Sequence, residues 1–192
     1  MRWYKEFIHR MYIISRCLLG FNCKYDGGNN KRDDIVEFFR THDCVTVCPE
    51  TAAGLESPRT PSEITGVRVT EDGKDVFTVK SKTGDDMSEL FDYGARLSLA
   101  SVLVEAGNRI ERKGIIEGAI LKANSPSCGT GVVYDGTFTG TLTKGFGVFA
   151  DKLIDACLEE RSNPDISDEN RLFADDFKVC DENSFARVFG NK

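Results

Sequence analysis

Tyr12-Ile13-Ile14-Ser15-Arg16-Cys17 is a short β-prone run that ends at a cysteine. The same arrangement recurs further along the chain: Val45-Thr46-Val47 runs directly into Cys48, and Ala119-Ile120-Leu121 leads through a polar stretch to Cys128. Ligands of parallel α/β sheets gather beyond the carboxyl ends of the strands. We therefore expect Cys17, Cys48 and Cys128 to meet at one edge of a sheet.

Helical patterns separate these three runs. Apolar residues at 35–39 predict a short helix, and Asp86 with Glu89 resembles a capping box that opens a long helix over 86–107. The predicted buried stripe of the long helix consists of Leu90, Tyr93, Leu97, Ala100 and Val104. Alternation over 67–79 around Asp72-Gly73 predicts a hairpin. This order predicts an α/β fold: a single domain with a mainly parallel sheet, helices on both faces and a β-hairpin insertion.

The 192 residues suit one domain, which we place at residues 11–162. We interpret residues 1–10 as an N-terminal extension and 163–192 as an acidic segment that packs on the domain or trails it. The formal net charge of −6 disfavours a long nucleic acid as partner. No apolar run is long enough to span a membrane and no signal peptide is visible, so we expect a cytoplasmic protein.

The seven cysteines are odd in number and follow no export signal, which favours free thiols or metal ligands over disulfides. Thiolates select zinc, copper(I) or iron–sulfur clusters. Three thiolates at three strand ends suit a four-iron cluster that keeps one iron open. We assign the remaining cysteines to the core, except Cys23, which could be a ligand or a redox thiol: the core set is Cys44, Cys157 and Cys180.

Four blocks of the sequence resemble the thiouracil desulfidase family, long catalogued as a domain of unknown function. They are 15–20 (SRCLLG), 24–27 (KYDG), 47–50 (VCPE) and 121–129 (LKANSPSCG). Further matching residues lie at 54–63, 134–138 and 145–148, so that the resemblance covers about 11–153. Lys24 departs from the arginine usual in the family, which keeps the charge but loses a planar set of donors.

The resemblance implies a 4Fe–4S cluster held by Cys17, Cys48 and Cys128, and we expect this cluster to be lost from protein prepared in air. It implies removal of sulfur from a small thiolated pyrimidine, of the 2-thiouracil or 4-thiouracil class, to give uracil and sulfide. It also implies that Glu50 is the acid/base group and that Ser125 positions substrate or transfers a proton.

Three further polar residues are candidates for substrate binding. Arg59 could hold a substrate carbonyl or pair structurally with Glu63. Asp26 precedes a glycine, so it could equally cap its own turn. Ser127 could instead donate a hydrogen bond to a cluster sulfur. The sequence makes no prediction of the oligomeric state.

Two other functions compete with a desulfidase. One is an iron–sulfur or metal-binding protein that carries sulfur without converting a nucleobase. Glu50 favours the enzyme over this alternative. The other is a hydrolase with Cys128 as nucleophile, which lacks a plausible histidine because only His9 and His42 exist.

Overall fold

The computed structural model describes residues 9–107 and 114–190. Its strands are β1 His9–Ser15, β2 Asp43–Val47, β3 Ser62–Val69, β4 Asp75–Ser81, β5 Gly114–Leu121, β6 Val132–Tyr134, β7 Leu142–Lys144 and β8 Phe173–Asp181. Its α-helices are α1 Asp33–Thr41, α2 Pro49–Ala52, α3 Ser88–Gly107, α4 Val148–Ser162 and α5 Phe185–Phe189, with short 3-10 helices at Arg16–Leu19 and Asp168–Asn170.

The central sheet contains four parallel strands in the order β2-β1-β5-β8. Side chains of β1 alternate between its two faces: Met11 and Ile13 pack with residues of α3 and α4, whereas Tyr12 and Ile14 pack with residues of α1 and α5. Burial on both faces explains why β1 reads as a nearly continuous apolar run. The predicted α/β fold with helices on both faces is confirmed.

Two antiparallel ribbons flank the sheet. The predicted hairpin is present as β3 and β4, which pair from Ser62 opposite Ser81 to Val69 opposite Asp75. Its turn contains Gly73 at φ +80°, a conformation that glycine adopts without strain. The second ribbon pairs β6 with β7. No helix within the described ranges is long and apolar enough to cross a membrane.

The acidic C-terminal segment contributes β8 and α5 to the fold. Lys178, Val179 and Cys180 pair in parallel with Gly118, Ala119 and Ile120 of β5. The sequence did not predict β8, because exposed charged residues in its middle, Asp175, Asp176 and Lys178, hide the apolar pattern of a strand. At the other end, β1 begins at His9, so the boundary expected between residues 10 and 11 falls inside a strand.

The predicted buried stripe of α3 is wrong. Leu90, Tyr93, Leu97 and Val104 are exposed, and the buried face instead contains Phe91, Gly94, Ala95, Ser98, Val102 and Ala106. The helix is apolar nearly all round, so the spacing of its large residues did not identify the inner face. Small residues occupy that face because α2 packs closely against it: a β-carbon at Gly94 would overlap the carbonyl oxygen of Pro49.

Candidate active site

A cavity of about 430 Å³ lies beyond the carboxyl ends of β1, β2 and β5. The thiols of Cys17, Cys48 and Cys128 all line it, so the structure brings together the three cysteines that the sequence placed at strand ends. Cys23 lines it as well. Cys44, Cys157 and Cys180 pack among apolar side chains outside this cavity. All seven cysteines are free.

Cys48 is held at the cavity by α2. It is the residue that precedes the helix, and Pro49 occupies the first helical position, where a missing N–H costs nothing. The close approach of α3 at Gly94 fixes α2 against the core. Glu50, in the first turn of α2, lines the same cavity as Cys48.

The loop that carries Cys128 is ordered by its own serine and by the start of α4. Ser125 Oγ accepts hydrogen bonds from the backbone N–H groups of Ser127 (3.1 Å) and Cys128 (3.2 Å). The first amides of α4 donate to loop carbonyls: that of Val148 to Pro126 (2.9 Å) and that of Phe149 to Ser127 (2.8 Å). The loop is therefore rigid through backbone bonds, and Ser125 retains its hydroxyl proton for donation.

Burial and mutual contact disfavour the charged forms of three cavity thiols, Cys23, Cys48 and Cys128. The pKa of Cys48 is raised, first by its hydrogen bond with Cys23 and then by burial. Burial raises the pKa of Cys128, and a hydrogen bond from Ser15 acts in the opposite direction. The pKa of Cys23 is raised mainly because its thiol donates a hydrogen bond to Cys17, which favours the protonated form. Binding of metal to these protonated thiols would release protons.

Glu50 stands in a network of directed hydrogen bonds. Its Oε2 accepts from Arg59 Nε (2.8 Å) and from Arg59 Nη2. Its Oε1 accepts from Ser127 Oγ (3.1 Å). The side chains of Glu50 and Arg59 are only 16% and 11% exposed, so this ion pair is shielded from water more than a surface pair would be. Ser127 thus contacts the predicted acid/base group.

The expectation that Arg59 holds a substrate carbonyl does not fit its bonding. An arginine has five N–H donors. Besides the two bonds to Glu50, Nη1 donates to Glu56 O (3.0 Å) and Ser57 Oγ (2.9 Å), and Nη2 donates to Cys23 O (3.1 Å). All five donors are used. The alternative pairing with Glu63 is also not seen, because Glu63 accepts from the backbone N–H of Phe138 (3.0 Å).

Asp26 does not contact the cavity, which corrects its assignment to substrate binding. Its carboxylate accepts from Lys24 Nζ (2.9 Å) and from the backbone N–H of Gly28 (2.9 Å). These contacts lower the pKa of Asp26, that with Lys24 most. Asp26 therefore stabilises its own turn, since a short acidic side chain at this position bonds the backbone two residues on.

The structure gives the rival hydrolase no catalytic histidine near Cys128. The ring of His42 stacks on Phe38 with centroids 3.9 Å apart, and its Nδ1 lies 3.0 Å from Phe38 O. This places His42 at the end of α1, away from the cavity wall, while His9 is the first residue of β1. A cysteine nucleophile needs a base within hydrogen-bonding distance.

Several residues that the sequence did not single out support the site loop. Ser15 Oγ accepts from the backbone N–H of Lys122 (3.0 Å) and also bonds the Cys128 thiol. Glu182, which follows β8, accepts from Lys122 Nζ (2.6 Å) and from the backbone N–H of Ala123 (2.7 Å). The position of Ser15 at the end of a predicted strand could have identified it as a site residue from the sequence. Nothing local in the sequence links Glu182 to residue 122.

Two buried donors in the cavity wall lack partners. Arg16 Nε and Asn30 Nδ2 form no hydrogen bond with any residue that the structure describes. Both flank Cys17, since Asn30 also donates its backbone N–H to Cys17 O (2.9 Å). Buried donors are normally satisfied, so these two indicate an acceptor that occupies the cavity.

The donor set suits an iron–sulfur cluster better than a single ion. Within residues 9–107 and 114–190, no group of three or more His, Cys, Asp or Glu side chains is arranged to hold one metal ion. In a four-iron cluster each thiolate binds a different iron, so the thiolates do not converge on one point. The cavity wall supplies separate soft thiols, and the N–H groups of Arg16 and Asn30 beside them can donate hydrogen bonds to the sulfur atoms of a cluster. This combination fits an iron–sulfur cluster.

Comparisons with known proteins show the family of the chain. A family model for 2-thiouracil desulfurase matches residues 12–163. An uncharacterized protein of Bacillus subtilis, YbbK, is 35% identical over 162 residues, which cover 82% of this chain and 99% of that protein. The solved structure of a [4Fe-4S]-dependent thiouracil desulfidase, TudS, superposes with a TM-score of 0.66 at 28% identity, over 93% of this chain and 95% of the other.

Proposed function

The chain belongs to the 2-thiouracil desulfurase family, and from that premise we propose that it removes sulfur from a thiolated pyrimidine at a 4Fe–4S cluster held by Cys17, Cys48 and Cys128. The expectations of a desulfidase family and of an enzyme are confirmed. The observation that carries the proposal is the meeting of these three thiols with Glu50 in one cavity. The solved relative, named as [4Fe-4S]-dependent, supports the same cofactor.

When bound, the cluster would supply a Lewis-acidic iron that accepts the substrate sulfur and weakens its bond to carbon. The remaining chemistry falls to side chains. Glu50 would take a proton from the water that replaces sulfur at carbon, because Oε1 has acceptor capacity beyond its bond from Ser127. Arg59 and Ser127 hold the carboxylate in place. Ser125 would donate its hydroxyl proton to the pyrimidine ring or to the departing sulfur.

The substrate that fits best is a small thiolated base such as 2-thiouracil or 4-thiouracil. A cavity of about 430 Å³ is within the usual range for small ligands. Arg16 in its wall, whose Nε has no partner among the described residues, favours an electron-rich heterocycle or its thiolate. The acidic net charge still disfavours long nucleic acids, which bind basic surfaces.

The test is anaerobic reconstitution with iron and sulfide, followed by incubation with 2-thiouracil and with 4-thiouracil. We expect about four irons per chain, because a cubane contains four, and release of uracil and sulfide in equal amounts. Cys48→Ala should lose the cluster, whereas Cys157→Ala, a buried thiol of α4 outside the cavity, should retain it. A loaded protein that binds thiouracil without producing uracil would be a sulfur carrier and would contradict the proposal.

A further inference from the structure

Cys23 is a fourth thiol at the cavity, and the proposed reaction does not use it. Its side chain is half-buried and lines the same cavity as the thiols of Cys17 and Cys48, and the Cys48 thiol lies 3.9 Å from the Cys23 carbonyl oxygen. The three cysteines assigned to the core have no such neighbours in the cavity wall. Cys23 is therefore a member of the thiol cluster and not an isolated cysteine.

The backbone of Cys23 is fixed in the cavity wall. Its N–H donates to Phe21 O (2.9 Å), and its carbonyl accepts from Arg59 Nη2 (3.1 Å) and from the Cys48 thiol (3.9 Å). Ser57 Oγ donates to the next carbonyl, that of Lys24 (3.0 Å). With the backbone held on both sides, the thiol can change its contacts only by rotation about χ1, which is a small and fast movement.

The number of thiols matches the number of irons. A 4Fe–4S cluster has four irons that each take one outer ligand, and thiolate is the protein ligand that such iron prefers. Three fixed cysteines leave one iron for the substrate. A thiol tethered in the same wall has an effective concentration of about millimolar or more, so it would compete with water for that iron whenever substrate is absent.

We propose that Cys23 is a displaceable fourth ligand of the cluster. It binds the fourth iron while substrate is absent, and the sulfur of the thiolated base replaces it when substrate binds. This inference rests on the proposed function. The exchange involves no oxidation or reduction: the bond from iron to Cys23 sulfur breaks, and a bond from iron to substrate sulfur forms. The substrate binds as its thiolate, and the proton that it loses passes to the departing Cys23 thiolate.

Arg16 is placed to assist this exchange. Arg16 lines the same cavity as Cys23, and its guanidinium lies over the ring of Phe21, 4.9 Å from the ring centroid. A fixed cation beside the thiol stabilises its anionic form, both on the iron and at the moment of departure. The loop that carries Cys23 therefore supplies the proposed fourth ligand, and Arg16, the residue before Cys17, supplies a positive charge.

The first experiment measures how readily one iron is lost. Wild type, Cys23→Ala and Cys157→Ala are loaded anaerobically, their iron and sulfide contents are measured, and each is oxidised with ferricyanide in the absence of substrate. The three-iron product is followed by its electron paramagnetic resonance signal. We expect Cys23→Ala to form it about tenfold faster than the other two proteins, because a tethered ligand no longer covers the open iron. Equal rates in all three proteins would overturn the proposal.

The second experiment measures access to the Cys23 thiol by iodoacetamide alkylation and peptide mass spectrometry. In loaded, substrate-free protein we expect Cys23 to be protected, and saturating 2-thiouracil should expose it. Alkylation of Cys23 at the same rate with and without cluster would contradict ligation. Loss of the whole cluster from Cys23→Ala would make Cys23 a fixed ligand and would also overturn the proposal.

The two proposals fail in distinguishable ways. If wild-type protein assembles no cluster, or assembles one but releases no uracil, the proposed function fails and the role of Cys23 fails with it. If wild type desulfurates thiouracil normally, yet Cys23 is unprotected and iron loss is unchanged in Cys23→Ala, then only the displaceable ligand is wrong.

Discussion

Arg59 donates from both Nε and Nη2 to a single oxygen of Glu50, Oε2, and so leaves Oε1 to Ser127. The other donors of Arg59 bind Glu56, Ser57 and Cys23. One guanidinium thus fixes the acid/base carboxylate and also the loop that carries the fourth thiol. Its planar arrangement of donors makes this possible, and a lysine could not reproduce it.

Arg59→Lys should lower kcat and leave KM nearly unchanged. Lysine keeps the charge but loses most of the directed bonds to Glu50, and a misplaced catalytic group costs up to about 100-fold in rate. KM should not move, because no donor of Arg59 remains for substrate. The matched control is Arg96→Lys, an exposed residue on α3 paired with Asp92. A higher KM with unchanged kcat would return Arg59 to substrate binding.

Glu50→Gln should retain the cluster and bind 2-thiouracil, yet lose most sulfide release. Glutamine is nearly isosteric and can still accept from Ser127, but it cannot take a proton from the attacking water. Removal of a general base costs about 100- to 10,000-fold in rate. Uracil and sulfide are measured anaerobically alongside iron content. Turnover close to that of wild type would assign the proton transfer to Ser125.

Gly94→Ala should destabilise the protein by about 1–3 kcal/mol, because the new methyl group would overlap the Pro49 carbonyl and force α2 away from α3. Cluster retention should fall too, since α2 positions Cys48. Gly107→Ala is the control: a β-carbon at Gly107 meets nothing within 4 Å. Urea denaturation compares the two, and an equal effect of both substitutions would show that helix propensity, not the close approach, is responsible.

Glu182→Ala should cost about 2–3 kcal/mol of unfolding free energy, because it leaves the amide of Ala123 and the ammonium group of Lys122 without their shared acceptor. The 122–128 loop should loosen with it, so cluster retention is a second readout. Asp176→Ala removes an exposed carboxylate near Lys178 and should change stability by less than about 0.5 kcal/mol. If Glu182→Ala is equally mild, the C-terminal segment does not support the site.

Asp151→Asn should stabilise the protein at pH 7. Burial, with the nearby charges of Asp155 and Asp75, raises the pKa of Asp151 from 3.8 to about 6. The folded state then holds the proton more tightly than the unfolded state, so stability falls as pH rises from about 4 to 6. Because the group is half-buried, we discount the full linkage and expect a gain of about 1 kcal/mol.

The gain from Asp151→Asn should shrink to a small fraction near pH 4, where folded Asp151 carries the proton and the unfolded chain, with a pKa of 3.8, is partly protonated as well. Thermal unfolding at pH 4 and pH 7 provides the measurement. Asp155→Asn, which removes one of the repelling charges, should give a smaller gain at pH 7. A gain from Asp151→Asn that is the same at both pH values would show that ionisation of this group is not the cause.

Local sequence signals were sufficient for two short strands, of which β1 is buried on both faces and β2 lies at the edge of the sheet. β1 and β2 read as apolar runs that end next to Cys17 and Cys48, and the parallel order of the strands then placed both thiols at one edge. The strand-end placement depends only on chain order and strand periodicity, which a sequence displays directly. The role of Glu50, two residues after Cys48, came from the family resemblance and stays a prediction.

Other features depend on which surfaces meet, and the sequence alone did not decide them. The inner face of α3 is set by the fit of Gly94 against Pro49, and large apolar residues on the opposite face obscured it. Arg59 had several candidate partners, and only the folded loops brought Glu50, Ser57 and Cys23 to its five donors. Glu182 reaches Ala123 across 59 positions of sequence. Directed bonds between distant segments depend on tertiary packing, which no local pattern encodes.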